Sequence, residues 1–299
     1  AILAPFYFLF FGLMLSDAAY GLILTTLCAI ILKKYKPEGT THRMIKMFMF
    51  CGLSTFMWGA LFGGWFGNFF TVAAKTFFGK EFVIRPLWFD PLSEPMRLLV
   101  VSLILGAIHL FVGMGVQAYM DIKDGRPLDA LFDIGLWYLL LIGIVLFAFG
   151  GKLGAGAVGI GKIMAIVGAV GILLTGGRKK KGIFGKLTGG LGSLYGITSY
   201  LSDVLSYSRL LALGLATGVV AQVFNTLGSL AGGGIAGSIL LIVVFAFGTV
   251  FNIAINALGA FVHSCRLQYV EFFGKFYTGG GRPFAPFERK TKYIKILKE

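Results

Sequence analysis

Charge is scarce in this chain. Lys, Arg, Asp and Glu make up 13% of its 299 residues, against 57% hydrophobic residues. Several apolar runs exceed the roughly 18 residues that mark a membrane span. The alternating pattern of a membrane β-barrel is absent. The reading is therefore an all-α polytopic membrane protein. Cysteine is scarce too: Cys28, Cys51 and Cys265 each lie in an apolar run and form no disulfide framework or metal-ligand spacing. They read as small buried side chains. There is no glycine-rich phosphate loop, zinc-ligand spacing or hydrolase elbow. The chain is thus expected to hydrolyse no nucleotide by itself and to need no cofactor or metal. It opens at Ala1 inside an apolar run, without methionine or a basic leader. That is no signal peptide, and it reads as part of a longer polypeptide whose N-terminal cytoplasmic domain lies elsewhere.

What charge exists is unbalanced, 27 basic against 13 acidic residues. In a soluble protein this would suggest nucleic acid as a partner. Here the basic residues sit between spans and read as topology signals. Lys33, Lys34, Lys36, Arg43 and Lys46 crowd one loop. Arg178, Lys179, Lys180, Lys181 and Lys186 crowd another, and the end of the chain is basic from Lys275 onward. The loops at 73–95 and 151–158 carry few. The positive-inside rule puts the basic regions, including the C-terminus, in the cytoplasm.

The apolar blocks fall at 2–32, 44–72, 97–120, 128–150, 159–175, 188–230 and 235–277, with no clear internal repeat. Ser16-Asp17 interrupts the first block. If the block crosses once, Ala1 lies outside; a break at Asp17, which the Ser-Asp pair favours, makes two short helices, puts Ala1 in the cytoplasm and gives eight membrane helices. Residues 1–277 then form the membrane domain, and 278–299 a basic cytoplasmic tail. The last two segments run about 43 residues each. That is roughly 65 Å of helix against a hydrocarbon core of about 30 Å. They are expected to tilt steeply, project into water or break. Two long tilted neighbours suit a wall along a curved partner.

These two segments carry the unusual chemistry. Arg209 lies in SYLSDVLSYSRLLALGLATG, in what reads as mid-membrane, and a guanidinium cannot be neutralised there. Ser199, Ser202 and Ser206 share its helical face, and Asp203 sits about a third of a turn away. The face is polar up to Arg209 and apolar beyond it. On the second segment Asn252, Asn256, Gly259, His263 and Arg266 recur every three or four residues along one line. Polar stripes in spans face a bundle interior or an aqueous cavity. Each group also has a plainer reading. Ser and Asn can glue helices together, and His263 can be a satisfied buried histidine. Asp17 can cap the second short helix rather than line a water path. Glu271 and Lys275, four apart, can form a surface ion pair.

The assembled motifs resemble the C-terminal membrane domain of the a subunit (subunit I) of V-type and A-type rotary ATPases, over nearly the whole chain. FGLMLSDAAYGL is similar to that family's first-hairpin motif, with Asp17 and Gly21 at its acidic and glycine positions. LSYSRLLALGLA resembles the stretch around its essential arginine, placing that role on Arg209. VHSCRLQYVEFFGKFY followed by GRPFAPF resembles its closing motif, with Arg266 as the second arginine, His263 as the preceding polar position and Glu271 as the following glutamate. The chain departs from the eukaryotic pattern at Asn256, where a glutamate often stands, at Thr217, where a histidine often stands, and at GRPFAPF. These departures point to a prokaryotic plasma membrane.

The resemblance implies a stator, packed against a rotating ring of small proteolipid (c/K) subunits and joined to peripheral-stalk subunits. It implies two offset half-channels for H⁺ or Na⁺, lined by the Ser and Asn-His stripes. Arg209 would depress the pKa of each passing ring carboxylate, with Arg266 assisting. A secondary transporter binding an anionic substrate through its arginines is the rival reading, and a purely structural membrane anchor is a third.

Overall fold

The computed structural model describes residues 2–78, 84–152, 155–176, 183–230, 234–277, 279–281 and 284. The basic run 177–182, the glycines 231–233 and most of the segment from 278 lie outside the described residues. Every regular element among the described residues is helical. Among the described residues, seven helices are long and apolar enough to cross a membrane, and a shorter apolar helix, α1 (Leu3–Leu15), accompanies them.

The break in the first block falls at Ser16-Asp17. Ser16 takes a left-handed conformation (φ 35°, ψ 33°), its N–H closing on Gly12 O, and α2 (Ala18–Tyr35) starts afresh beyond Asp17. Phe11 of α1 and Thr25 of α2 both meet α3 (Gly39–Phe62) near the same height. The Phe11 and Phe48 rings are 6.0 Å apart, and Thr25 Oγ1 donates to Met49 O. The chain therefore doubles back at Asp17, as a pair of short helices requires. At 13 residues α1 is only about 20 Å long. It survives because α3 and the last two long segments wrap it, leaving Phe10, Phe11, Leu13, Met14 and Leu15 without exposed surface.

After the turn at 63–68 come α4 (Phe69–Phe78) and α5 (Pro95–Lys123). A short α6 (Pro127–Ala130) passes through a wide π turn at Leu131–Gly135 into α7 (Leu136–Phe149), which forms a hairpin with α8 (Ala155–Thr175). The two long segments follow. One is α9 (Ile183–Ser206) and α10 (Ser208–Ser229), separated by the single residue Tyr207. The other is α11 (Ile235–Arg266), which continues through a π turn at Leu267–Phe272 into α12 (Phe273–Phe276). Their apolar stretches span 41 and 40 residues. Both exceed a single perpendicular crossing, and each contains a local irregularity beside its arginine.

One core joins α1, α3, α5, α10 and α11, with Phe10, Leu98, Tyr207, Leu210, Ala260 and Leu267 fully buried. Cys28 and Cys51 are buried, Cys265 is partly so, and all three are free thiols.

Candidate functional site

Arg209 stands two residues after the break in the α9–α10 segment. Tyr207 N–H bonds Val204 O at 3.1 Å, and Leu210 N–H bonds Tyr207 O at 3.0 Å, so the chain tightens locally into i→i+3 bonding. The Tyr207 ring is fully buried against α5. It fits there because residue 106 is glycine: a Cβ at Gly106 would lie 2.8 Å from Tyr207 Cβ, inside any real contact. The Tyr207 hydroxyl meets His109 Nδ1 at 2.7 Å. His109 is itself buried and lies flat on Phe272, ring centroids 4.3 Å apart and planes 4° from parallel. Three segments thus fix the backbone that presents Arg209.

The facing irregularity is the π turn at Leu267–Phe272. A wide turn adds a residue and resets the helical phase. Leu267, Gln268, Glu271 and Phe272 of this turn are buried. Glu271 is 2% exposed and its Oε1 lies 3.3 Å from Arg209 Nη1, whose side chain is 23% exposed. Glu271 Oε2, both polar atoms of Gln268, and His109 Nε2 are buried without a hydrogen-bond partner among the described residues. One turn on, the Lys275 ammonium meets the Asp203 carboxylate and sits 4.0 Å from the centroid of the Tyr200 ring.

Glu271 and Lys275 therefore do not pair with each other, as their four-residue spacing allows. The π turn between Leu267 and Phe272 redirects both across the interface, one to Arg209 and the other to Asp203. Two ion pairs of opposite polarity result: Asp203 then Arg209 along α9–α10, faced by Glu271 then Lys275 along the antiparallel segment.

The sequence stripe on α11 divides. Asn252 is buried and donates to Tyr20 Oη at 3.0 Å and Thr217 O at 3.1 Å, and Asn256 turns back onto Asn252. His263 is half-buried, with a buried Nδ1 unpartnered among the described residues. Arg266 is exposed, and no described residue forms an ion pair with it. The buried line instead runs Asn252, Asn256, Ala260, Ser264, Gln268, Glu271. Each four-residue step advances roughly 40° around a helix, so the line winds past α10, then Met14 of α1, then α5. On the facing segment Ser199 and Ser202 are exposed, Ser206 and Asp203 half-buried. Tyr207, His109 and Gln268 were not singled out by sequence. His109 is a lone polar residue in an apolar run, which was the one available signal.

Asp17 holds a different position. Its Oδ1 accepts from Ala19 and Tyr20 N–H at 3.0 and 3.1 Å, capping α2, and from Phe66 N–H at 3.2 Å; its Oδ2 accepts from Gly67 N–H at 3.0 Å. Asn225 of α10 holds the other side of that turn through Phe66 O and Asn68 Oδ1. The capping reading of Asp17 is met. The residue also borders an open cavity of about 220 Å³, with Asn68, Asp90 and Gln222 on its wall.

These features define a polytopic helical membrane protein with a charged seam between its last two long segments. A guanidinium meets one buried carboxylate, while its side chain stays 23% exposed. Residues 197–289 match the model of the V-type ATPase 116 kDa subunit family. Across 98% of its length the chain is 35% identical to the A-type ATP synthase subunit I of Methanocaldococcus jannaschii, covering 45% of that protein. It is 36% identical to the Thermococcus kodakarensis subunit I, with 99% and 44% covered, and 25% identical to the V-type ATP synthase subunit I of Borreliella burgdorferi, with 96% and 48% covered. The chain belongs to this V/A-type ATPase subunit a (subunit I) family. It spans a little under half the length of these curated relatives.

Proposed function

We propose that the chain is the membrane stator of a rotary ATPase, working against a ring of proteolipid subunits within a complex that includes peripheral-stalk subunits. Ions, H⁺ or Na⁺, enter and leave by two offset half-channels. Arg209 draws the ion off each arriving ring carboxylate by favouring its ionised form. Its fixed charge also opposes direct leakage between the half-channels. In this reading the serine face of Ser199, Ser202 and Ser206, with Asp203, lines one path. The groups of α11, Asn252, Asn256 and His263, line the other; Asp17 and Glu271 also belong to the half-channel lining, while Arg266 assists Arg209. The basic loops and the C-terminus face the cytoplasm of a prokaryotic cell, and the long segments cross the bilayer at a steep tilt. The chain has no catalytic residue of its own; the chemistry of ATP resides in other subunits.

The observation that carries this reading is the setting of Arg209. It is an always-charged side chain in a span, gripped on one side and partly exposed on the other. A substrate-binding arginine in a transporter would be expected to face a closed interior site.

The test is ATP-driven ion uptake into vesicles carrying the whole complex with Arg209→Ala, with assembly and ATP hydrolysis measured in parallel, with and without Na⁺. Uptake abolished in an assembled complex is the expected result, and Na⁺ dependence of the unmutated complex names the ion. Uptake that persists in an assembled Arg209→Ala complex overturns the assignment.

A further inference from the structure

We infer that Glu271 is a resident counter-ion that sets how strongly Arg209 grips a passing carboxylate, a positioning role resting on the stator reading above. The geometry is specific. Glu271 is 2% exposed, on a π turn whose buried residues are Leu267, Gln268, Glu271 and Phe272. It touches Arg209 through one oxygen at 3.3 Å, leaving the guanidinium's other donors available. A bidentate clasp would occupy the planar fork and leave little for a second carboxylate; a missing partner would leave the full charge uncompensated. A single long contact lies between these extremes.

The groups around the pair are few. Tyr207, from the α9–α10 break, lies within electrostatic reach of Glu271 and Asp203. His109 faces it from α5, with Gln268 beside the imidazole. Lys275 and Asp203 neutralise each other one turn away. Arg266, on the same segment, points outward. From α1 the contributions next to His109 and Phe272 are the aromatic rings of Phe6 and Phe10. Glu271 is thus the one described carboxylate in contact with Arg209. Its Oε2 is buried without a hydrogen-bond partner among the described residues, so only one of its oxygens is committed to Arg209.

The sign follows from charge. Removing Glu271's charge makes the field at a passing ring site more positive. That site then holds its ion less well, and a higher ion concentration is needed to reload it. Glu271→Gln retains shape and a hydrogen-bond acceptor. In whole complexes in vesicles, the ion concentration for half-maximal uptake is expected to rise about tenfold, which for protons is an acid shift of about one pH unit. Gln268→Glu places a second carboxylate on the same turn and is expected to lower it. Unchanged ion dependence in an assembled Glu271→Gln complex overturns the inference, because a residue that only joins helices would leave it unmoved. If Glu271→Gln does not assemble, Gln268→Glu decides: a shift toward lower ion concentration supports the role and no shift overturns it. Arg209→Ala measured alongside separates the two levels. Uptake surviving that change defeats the stator reading itself, whereas its loss with an unshifted Glu271→Gln defeats only the role of Glu271.

Discussion

Arg209 and Glu271 meet at 3.3 Å, 62 residues apart in sequence, each beside an irregularity in its own helix. Tyr207 interrupts one segment just before the arginine. The π turn at Leu267–Phe272 carries the glutamate. The pair exists because both helices deviate from regular geometry at the same level.

Removing one member of a largely buried ion pair strands the other. Glu271→Leu is expected to destabilise the solubilised complex by about 3 kcal/mol. Replacing both residues, as Arg209→Met with Glu271→Leu, is expected to cost less than Glu271→Leu alone. Thermal unfolding of the four species of this cycle measures the difference, and a double variant at least as unstable as the single would contradict it.

The close approach at Gly106 makes a second prediction. Gly106→Ala drives a Cβ into Tyr207 and should cost about 2 kcal/mol by overpacking. In a Tyr207→Gly background the same substitution should cost much less, since the ring and the Cβ it collides with are both gone. Additive penalties would mean that Gly106 matters for another reason.

Asp17 joins a helix start to a distant turn through four backbone N–H groups. Asp17→Ala should therefore cost about 3 kcal/mol, the sum of a lost cap and stranded turn amides. Asp17→Asn, which keeps one carbonyl acceptor, should cost roughly half that. Equal losses in an unfolding assay would point to the charge rather than the hydrogen bonds.

Asn252 and Asn256 are neighbours of one kind with unequal ties. Asn252 crosses to Tyr20 and to the α10 backbone, whereas Asn256 bonds only Asn252. Asn252→Leu should lower stability by about 2 kcal/mol and Asn256→Leu by about 1. The reverse order in the same assay would place the more important polar contact at Asn256.

The sequence alone determined the membrane character and marked Asp17 as the point where the first block could break; the structure decided that the chain folds back there. Apolar run length and a capping residue are local properties of the chain. It also singled out Arg209, because a permanent charge in an apolar run is conspicuous without a structure. Only the tertiary structure decided what holds that charge. Helical periodicity assumes about 100° per residue, and the four-residue steps between the side chains that the neighbouring helices cover drift about 40° each away from the straight line of polar positions, already within α11. Extrapolation along Asn252, Asn256, Gly259 and His263 therefore led outward to Arg266, while the buried line turned to Ser264, Gln268 and Glu271. The Glu271–Lys275 spacing misled because each side chain meets an opposite charge on the facing segment instead. His109 and Tyr207 stand 98 residues apart, and nothing in either local pattern records that their rings share one site. Packing against α5 brings them together, through a glycine whose role is visible only once the tyrosine is seen above it.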